Sequence, residues 1–119
     1  MYNFLRAGTA VPKLKIADCC YNSEMIIEMA KDANDKKIKL LVFPELAVTG
    51  YTCGDLFMQT TLIDSAKQSL KFIAESTADF DMVMVVGVPL AISNRLFNCA
   101  AVIYKAKVLG LVPKSHLPN

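Results

Sequence analysis

Two charged residues in this sequence stand where chemistry could be done. Glu45 follows Pro44 at the end of the apolar run Leu40-Leu41-Val42-Phe43, and Lys114 follows Val112-Pro113 at the end of another. A carboxylate at the carboxyl end of a buried parallel strand sits where open α/β sheets place their ligand sites. Against Phe43 and Leu46 it would lose solvation, which raises its proton affinity and makes it a usable general base. The alternative is a glutamate that merely begins a solvated loop. A lysine held rigidly at a strand end can stabilise an oxyanion that develops during acyl transfer. Its alternative is an ordinary surface lysine.

The remaining reactive side chains give less. His116 is the single histidine, so any Ser/His or Cys/His triad must use it. Ser115 beside it would point the other way in an extended segment, and one histidine with scattered cysteines makes no zinc site. His116 therefore reads as structural or incidental. Of the four cysteines, Cys19 and Cys20 lie before or within a first helix, and Cys99 alternates into a strand core with Phe97 and Ala101. Cys53 alone falls near Glu45, and a buried or loop thiol without a catalytic role is the default for each. Neither G-x-G-x-x-G nor G-x-x-x-x-G-K-[ST] occurs, so no cofactor is expected in this segment and ATP is not expected to bind through either device.

The elements that must position Glu45 and Lys114 alternate between strand and helix. A strand is expected over residues 4–11, ended by Pro12. A helix capped near Asn22 follows, with Ile26, Met29, Ala30 and Ala33 on one buried face and Lys31, Asp32, Lys36 and Lys37 on a wet one. Residues 40–43 read as a central parallel strand buried on both faces. Residues 47–57, with Gly50 and Gly54, read as a loop. A second helix is expected over 59–76, a third strand over 82–89, and two more over 96–104 and 108–112 joined by a tight turn at Lys105-Ala106-Lys107. The order β-α-β-α-β-β-β makes an α/β chain with a mixed sheet.

Composition bounds the function classes. With 119 residues, the chain suits one domain or a piece of one. It is 54% hydrophobic and carries a formal charge of only +2, which excludes disorder and argues against a nucleic-acid binder. Residues 82–92 form the longest apolar run, too short to span a membrane and interrupted by Gly87 and Pro89. No signal peptide and no disulfide framework are read, so the expected compartment is the cytoplasm. The sheet would leave apolar area and strand edges open at the point where the chain reaches Asn119, so the expectation is the front portion of a larger domain.

Longer strings now become informative. Residues 41–46 (L-V-F-P-E-L), 49–57 (T-G-Y-T-C-G-D-L-F), 94–102 (N-R-L-F-N-C-A-A-V) and 108–119 (V-L-G-L-V-P-K-S-H-L-P-N) resemble, in the right order, the nitrilase or carbon–nitrogen hydrolase superfamily. Within it they are most similar to the glutaminase domains of glutamine-dependent NAD⁺ synthetases. A lone P-E-L would be weak; T-G-Y-x-x-G-D-L-F together with P-K-x-x-L-P-N is specific. The resemblance implies part of an α-β-β-α sandwich, with residues 1–119 a single incomplete glutaminase domain.

It also implies a Glu-Lys-Cys triad. Glu45 matches the general base, Lys114 the lysine that stabilises the tetrahedral intermediate, and Tyr51 a tyrosine lining the glutamine pocket. The family nucleophile lies well beyond the lysine and would fall past Asn119, and no cysteine here matches it. The chain alone is therefore expected to hold two triad members and to be inactive. By the same resemblance, ATP and Mg²⁺ serve a separate synthetase domain that amidates deamido-NAD⁺, and the sandwiches pair into homo-oligomers. Two further readings stay open: a stand-alone amidase of the superfamily, and a truncated, non-catalytic binding protein. Ala106 stands where a glycine is common in the hairpin, a tolerable change if the turn needs no positive φ.

Overall fold

The computed structural model describes residues 5–15, 18–44, 47–49, 60–93 and 95–116. Its elements run β1 (Ala7–Thr9), α1 (Cys19–Asp35), β2 (Leu40–Val42), α2 (Thr60–Ser76), β3 (Val83–Ile92), β4 (Arg95–Tyr104) and β5 (Lys107–His116). The five strands form one mixed sheet in the order β1-β2-β3-β4-β5. β1, β2 and β3 pair in parallel, while β3-β4 and β4-β5 are antiparallel. The expected α/β class and element order are what the chain adopts.

The sheet topology follows from handedness. Both β-α-β crossovers step the same way across the sheet, so right-handed connections put α1 and α2 on one face. There Ile26, Ala30 and Ala33 of α1 and Ala66, Leu70 and Ile73 of α2 join Leu41, Met84, Val86, Val88, Ala101 and Ile103 in one core. On the other face Val42, Val85 and Val102 are half-buried and Val112 is exposed. Among the described residues no helix is long and apolar enough to cross a membrane.

Helix α1 begins one turn earlier than the sequence indicates. Asp18 is its cap, with Oδ1 accepting from the Tyr21 N–H at 3.0 Å. Asn22, expected near the cap, lies wholly buried inside the first turn. The helix ends in a Schellman arrangement: Ile38 N–H reaches Ala33 C=O at 3.1 Å and Lys37 N–H reaches Asn34 C=O at 3.0 Å. Lys37 takes the left-handed position, φ 60°, that glycine usually fills. Arg6 Nη1 donates to the Lys36 carbonyl at 3.0 Å, so the chain before β1 helps to close that helix end.

The strands differ from expectation in length. β1 is three residues rather than eight, and Phe4 lies outside the described residues. β5 runs four residues past Val112, through Pro113 to His116. Pro113 is tolerated because β5 is the edge of the described sheet, where a missing N–H breaks no ladder on the open side. At the end of the sheet where β3 begins, the Tyr104 hydroxyl donates to Asp81 Oδ1 at 2.7 Å and Lys39 Nζ meets Oδ2 at 3.2 Å. The Tyr104 hydrogen bond first, and then Lys39, hold the Asp81 carboxyl below its ordinary 3.8. The contribution of this exposed clasp is present above the ordinary carboxyl value and is lost as pH falls through the depressed one.

The β4–β5 turn corrects one expectation. Tyr104 pairs with Lys107, leaving a two-residue loop with φ of 47° at Lys105 and 68° at Ala106. Both values are positive, as a type I′ hairpin requires, so the turn does need the conformation that alanine resists. Ala106→Gly is expected to stabilise the fold by about 1 kcal/mol. A higher midpoint in urea denaturation, with an unchanged slope, is the measurement that checks it.

Candidate functional site

Parallel β2 and β3 end at the same side of the sheet, and antiparallel β4 begins there. Pro44, the start of β4 and the end of β5 therefore converge, which is where an open α/β sheet presents its ligand groups. β2 stops at Val42, and its line is continued by Phe43, whose N–H bonds Val85 C=O at 2.9 Å. Residues Ala47, Val48 and Thr49 then turn back under full burial. The Val48 N–H reaches Gly87 C=O at 3.2 Å, so this turn is stitched to β3.

Asn22 fixes that turn from the helix side. Its Nδ2 donates to Val48 C=O at 2.9 Å and to Lys15 C=O at 2.8 Å, and its Oδ1 accepts from Lys15 N–H at 2.7 Å. One wholly buried carboxamide thus ties α1, the β1–α1 connection and the turn after Pro44 together. The sequence carried a signal for it: Asn22 lies on the stripe of Ile26 and Ala30 at i, i+4, i+8, where a polar residue needs partners.

Of the residues singled out by sequence, Glu45 and Tyr51 lie outside the described residues, as does Cys53. The described flanks of Glu45 are Pro44, at the carboxyl end of β2, and the anchored turn 47–49. Lys114 is not beyond the last strand, as expected, but within β5. Cys99 pairs with Pro113 and Asn98 with Ser115, so Lys114 is the extra residue of a β-bulge. Bulges free one residue from the ladder and are over-represented beside active sites. The topology thus brings Pro44, the residue before Glu45, and the Lys114 backbone to one end of one sheet, separated by β3 and β4. His116 ends β5 opposite Phe97.

Between these strand ends lies a small cavity of about 30 Å³ lined by Val42, Phe43, Pro44, Val85, Gly87, Cys99 and Ala100. The Cys99 thiol is fully buried, 3.8 Å from the Phe97 carbonyl, and burial pushes its pKa up. That is the reverse of an activated nucleophile. Cys20 is exposed on the first turn of α1, with Sγ 3.9 Å from Glu24 Oε1. Asn98, beside Cys99, is 4% exposed, and its Oδ1 has no hydrogen-bond partner among the described residues. It is the one polar side chain in the run L-F-N-C-A-A-V-I.

Comparison with known proteins gives the family. The carbon-nitrogen hydrolase model matches residues 8–119. The glutamine-dependent NAD(+) synthetase of Mycobacterium tuberculosis strain H37Rv is 37% identical over 118 residues, covering 99% of this chain and 17% of that protein. The enzyme of the same name from Aquifex aeolicus is 31% identical over 104 residues, 87% of this chain and 18% of the relative. The chain thus spans about a fifth of the length of the curated relatives it matches. Among solved structures, a glutamine-dependent NAD(+) synthetase from Cytophaga hutchinsonii superposes with a TM-score of 0.88 at 29% identity, covering 97% of this chain and 20% of that one. An amidase from Nesterenkonia sp. shares the fold, with a TM-score of 0.76 at 21% identity over 97% of this chain and 44% of its own.

Two predictions rest on this geometry. Asn22→Ala removes three hydrogen bonds and strands buried partners, so a loss of about 2–4 kcal/mol is expected in chemical denaturation. Alkylation of the native protein with iodoacetamide at pH 7.5 is expected to modify Cys20 and spare Cys99, read by peptide mass mapping; equal labelling of the two would contradict the burial argument.

Proposed function

The chain belongs to the carbon–nitrogen hydrolase family, and from that premise we propose that it is the amino-terminal part of a glutaminase unit within a glutamine-dependent NAD⁺ synthetase. The observation that carries the reading is the convergence at one sheet end: β2 delivers the chain to Glu45, and the β5 bulge sets Lys114 apart from the ladder beside β4. The names of the relatives supply the substrate class.

In this reading Glu45 takes the proton of a cysteine thiol supplied by a later segment of the polypeptide. The thiolate attacks the carboxamide carbon of glutamine, and Lys114 balances the charge that develops on the carbonyl oxygen. The C–N bond breaks, ammonia leaves with the transferred proton, and water hydrolyses the thioester to release glutamate. Tyr51 lines the pocket. The 119-residue chain by itself, with base and lysine but no matching nucleophile, is inactive. Residues 1–119 are one incomplete domain, and the assembled protein is cytoplasmic and pairs its sandwiches into homo-oligomers.

ATP and Mg²⁺ belong, in the same reading, to a synthetase domain outside this chain, which amidates deamido-NAD⁺ with the ammonia. The sequence has neither phosphate-binding glycine loop, and the described residues hold no cluster of three or more metal-ligating side chains.

Two measurements test the proposal. The intact mass of the native gene product is expected to be several times 13.1 kDa; a mass near that value leaves only a non-catalytic role, and one near twice to three times it favours a stand-alone amidase. In the full-length protein Glu45→Gln is expected to lower glutamine hydrolysis at least about 100-fold, while synthesis from added ammonium survives. Loss of both activities together would make Glu45 a structural residue.

A further inference from the structure

The bulge at Lys114 has a neighbour that the triad does not use. Asn98 pairs with Pro89 on β3 and with Ser115 on β5, so it stands directly beside the extra residue. β4 alternates without interruption here, so Asn98 shares a face with Ala100, and Gly87 pairs with Ala100 on that same face. Ala100 and Gly87 are walls of the cavity next to Pro44. Asn98 therefore sits one pair further toward the sheet end at which β2 stops and the β5 bulge lies, on the face opposite the helices.

Its carboxamide oxygen is buried and unpartnered among the described residues. An acceptor taken out of water without a donor costs stability. Within an otherwise apolar run, a leucine of similar volume would avoid that cost. Such a group is accounted for if a donor arrives with the ligand. The oxygen can only accept, so the ligand must bring an N–H or O–H. Resting on the glutaminase reading above, we propose that Asn98 is a substrate-orienting residue whose Oδ1 accepts a hydrogen bond from the primary amide nitrogen of the substrate. A primary amide carries two N–H groups. Holding one of them fixes the amide plane against the attacking sulfur and distinguishes an amide from an ester of the same size.

The test compares two substrates in full-length protein: L-glutamine, and the γ-methyl ester of L-glutamate, whose leaving oxygen has no hydrogen to give. Asn98→Leu is expected to lower kcat/KM for glutamine about 10- to 100-fold and to leave ester hydrolysis within about twofold. Its thermal midpoint should be unchanged or raised, because an unpaired buried acceptor has been removed. Asn98→Ala, which deletes the oxygen without adding bulk, is measured in parallel, so that a packing failure of the leucine variant leaves the comparison intact. Equal losses on both substrates, no loss on either, or a large fall in midpoint for both variants would overturn the inference, the last by showing that the oxygen has a structural donor. Wild-type protein that hydrolyses neither substrate would overturn the glutaminase reading and this inference with it. Wild type active on both, with variants that do not discriminate, would overturn this inference alone.

Discussion

The carboxamide of Asn22 is the constraint on which the candidate site depends. A chain that leaves a parallel strand at Pro44 must cross to a helix, and its backbone groups there have no ladder to enter. Val48 resolves this by donating its N–H to the Gly87 carbonyl of β3 and accepting at its C=O from Asn22 Nδ2 of α1. The same side chain closes both backbone groups of Lys15, in the connection that leads from β1 into α1. Two connections that emerge from the same end of the sheet are thereby locked to each other through one buried group. Hydrophobic burial could hold α1 against the sheet, but it is non-directional and would not set the height of the turn that follows Glu45. A hydrogen-bonded amide does.

The second constraint is chirality. Successive parallel strands β1, β2 and β3, with right-handed crossovers, put both helices on one face and leave the carboxyl ends of β2 and β3 on a common rim. Two antiparallel steps then bring the end of β5 to that rim. Residues almost seventy positions apart in sequence thus converge because of strand direction alone. The bulge completes the arrangement: without it Lys114 would be an ordinary paired residue of an edge strand, and with it one residue is released from the ladder where the strand ends gather.

Most of this architecture was legible in the residues. Periodicity gave both helices, with Ile26, Ala30 and Ala33 inward and the lysines outward, and apolar runs gave the strands. Pro44 and Pro12 marked where chain direction changes. What was not legible depends on partners across the sheet. β1 is short because only Ala7 to Thr9 find Leu40 to Val42 beside them, a fact about β2 rather than about β1. β5 continues through Pro113 at the edge of the described sheet, a position that the residues themselves do not state. The positive φ at Ala106 is set by the twist of the strands it joins and not by local preference. Glu45 and Lys114 stand out because they follow prolines at the ends of apolar runs; Asn22 reads only as a helix cap and Asn98 is not singled out, because the partners of a buried asparagine show only in the fold.

The two asparagines separate the roles that a buried amide can take. Asn22 has its oxygen and nitrogen matched by backbone groups, and such a group specifies one geometry of the connections it joins. Asn98 is also buried, yet its oxygen is matched by nothing described. A fold that satisfies one carboxamide three times over and leaves the other open, within a few residues of the same rim, has its order and its reactivity in different places. The open acceptor stands on the face opposite the helices, beside the bulge and the cavity at Pro44, where strand ends rather than core side chains form the boundary.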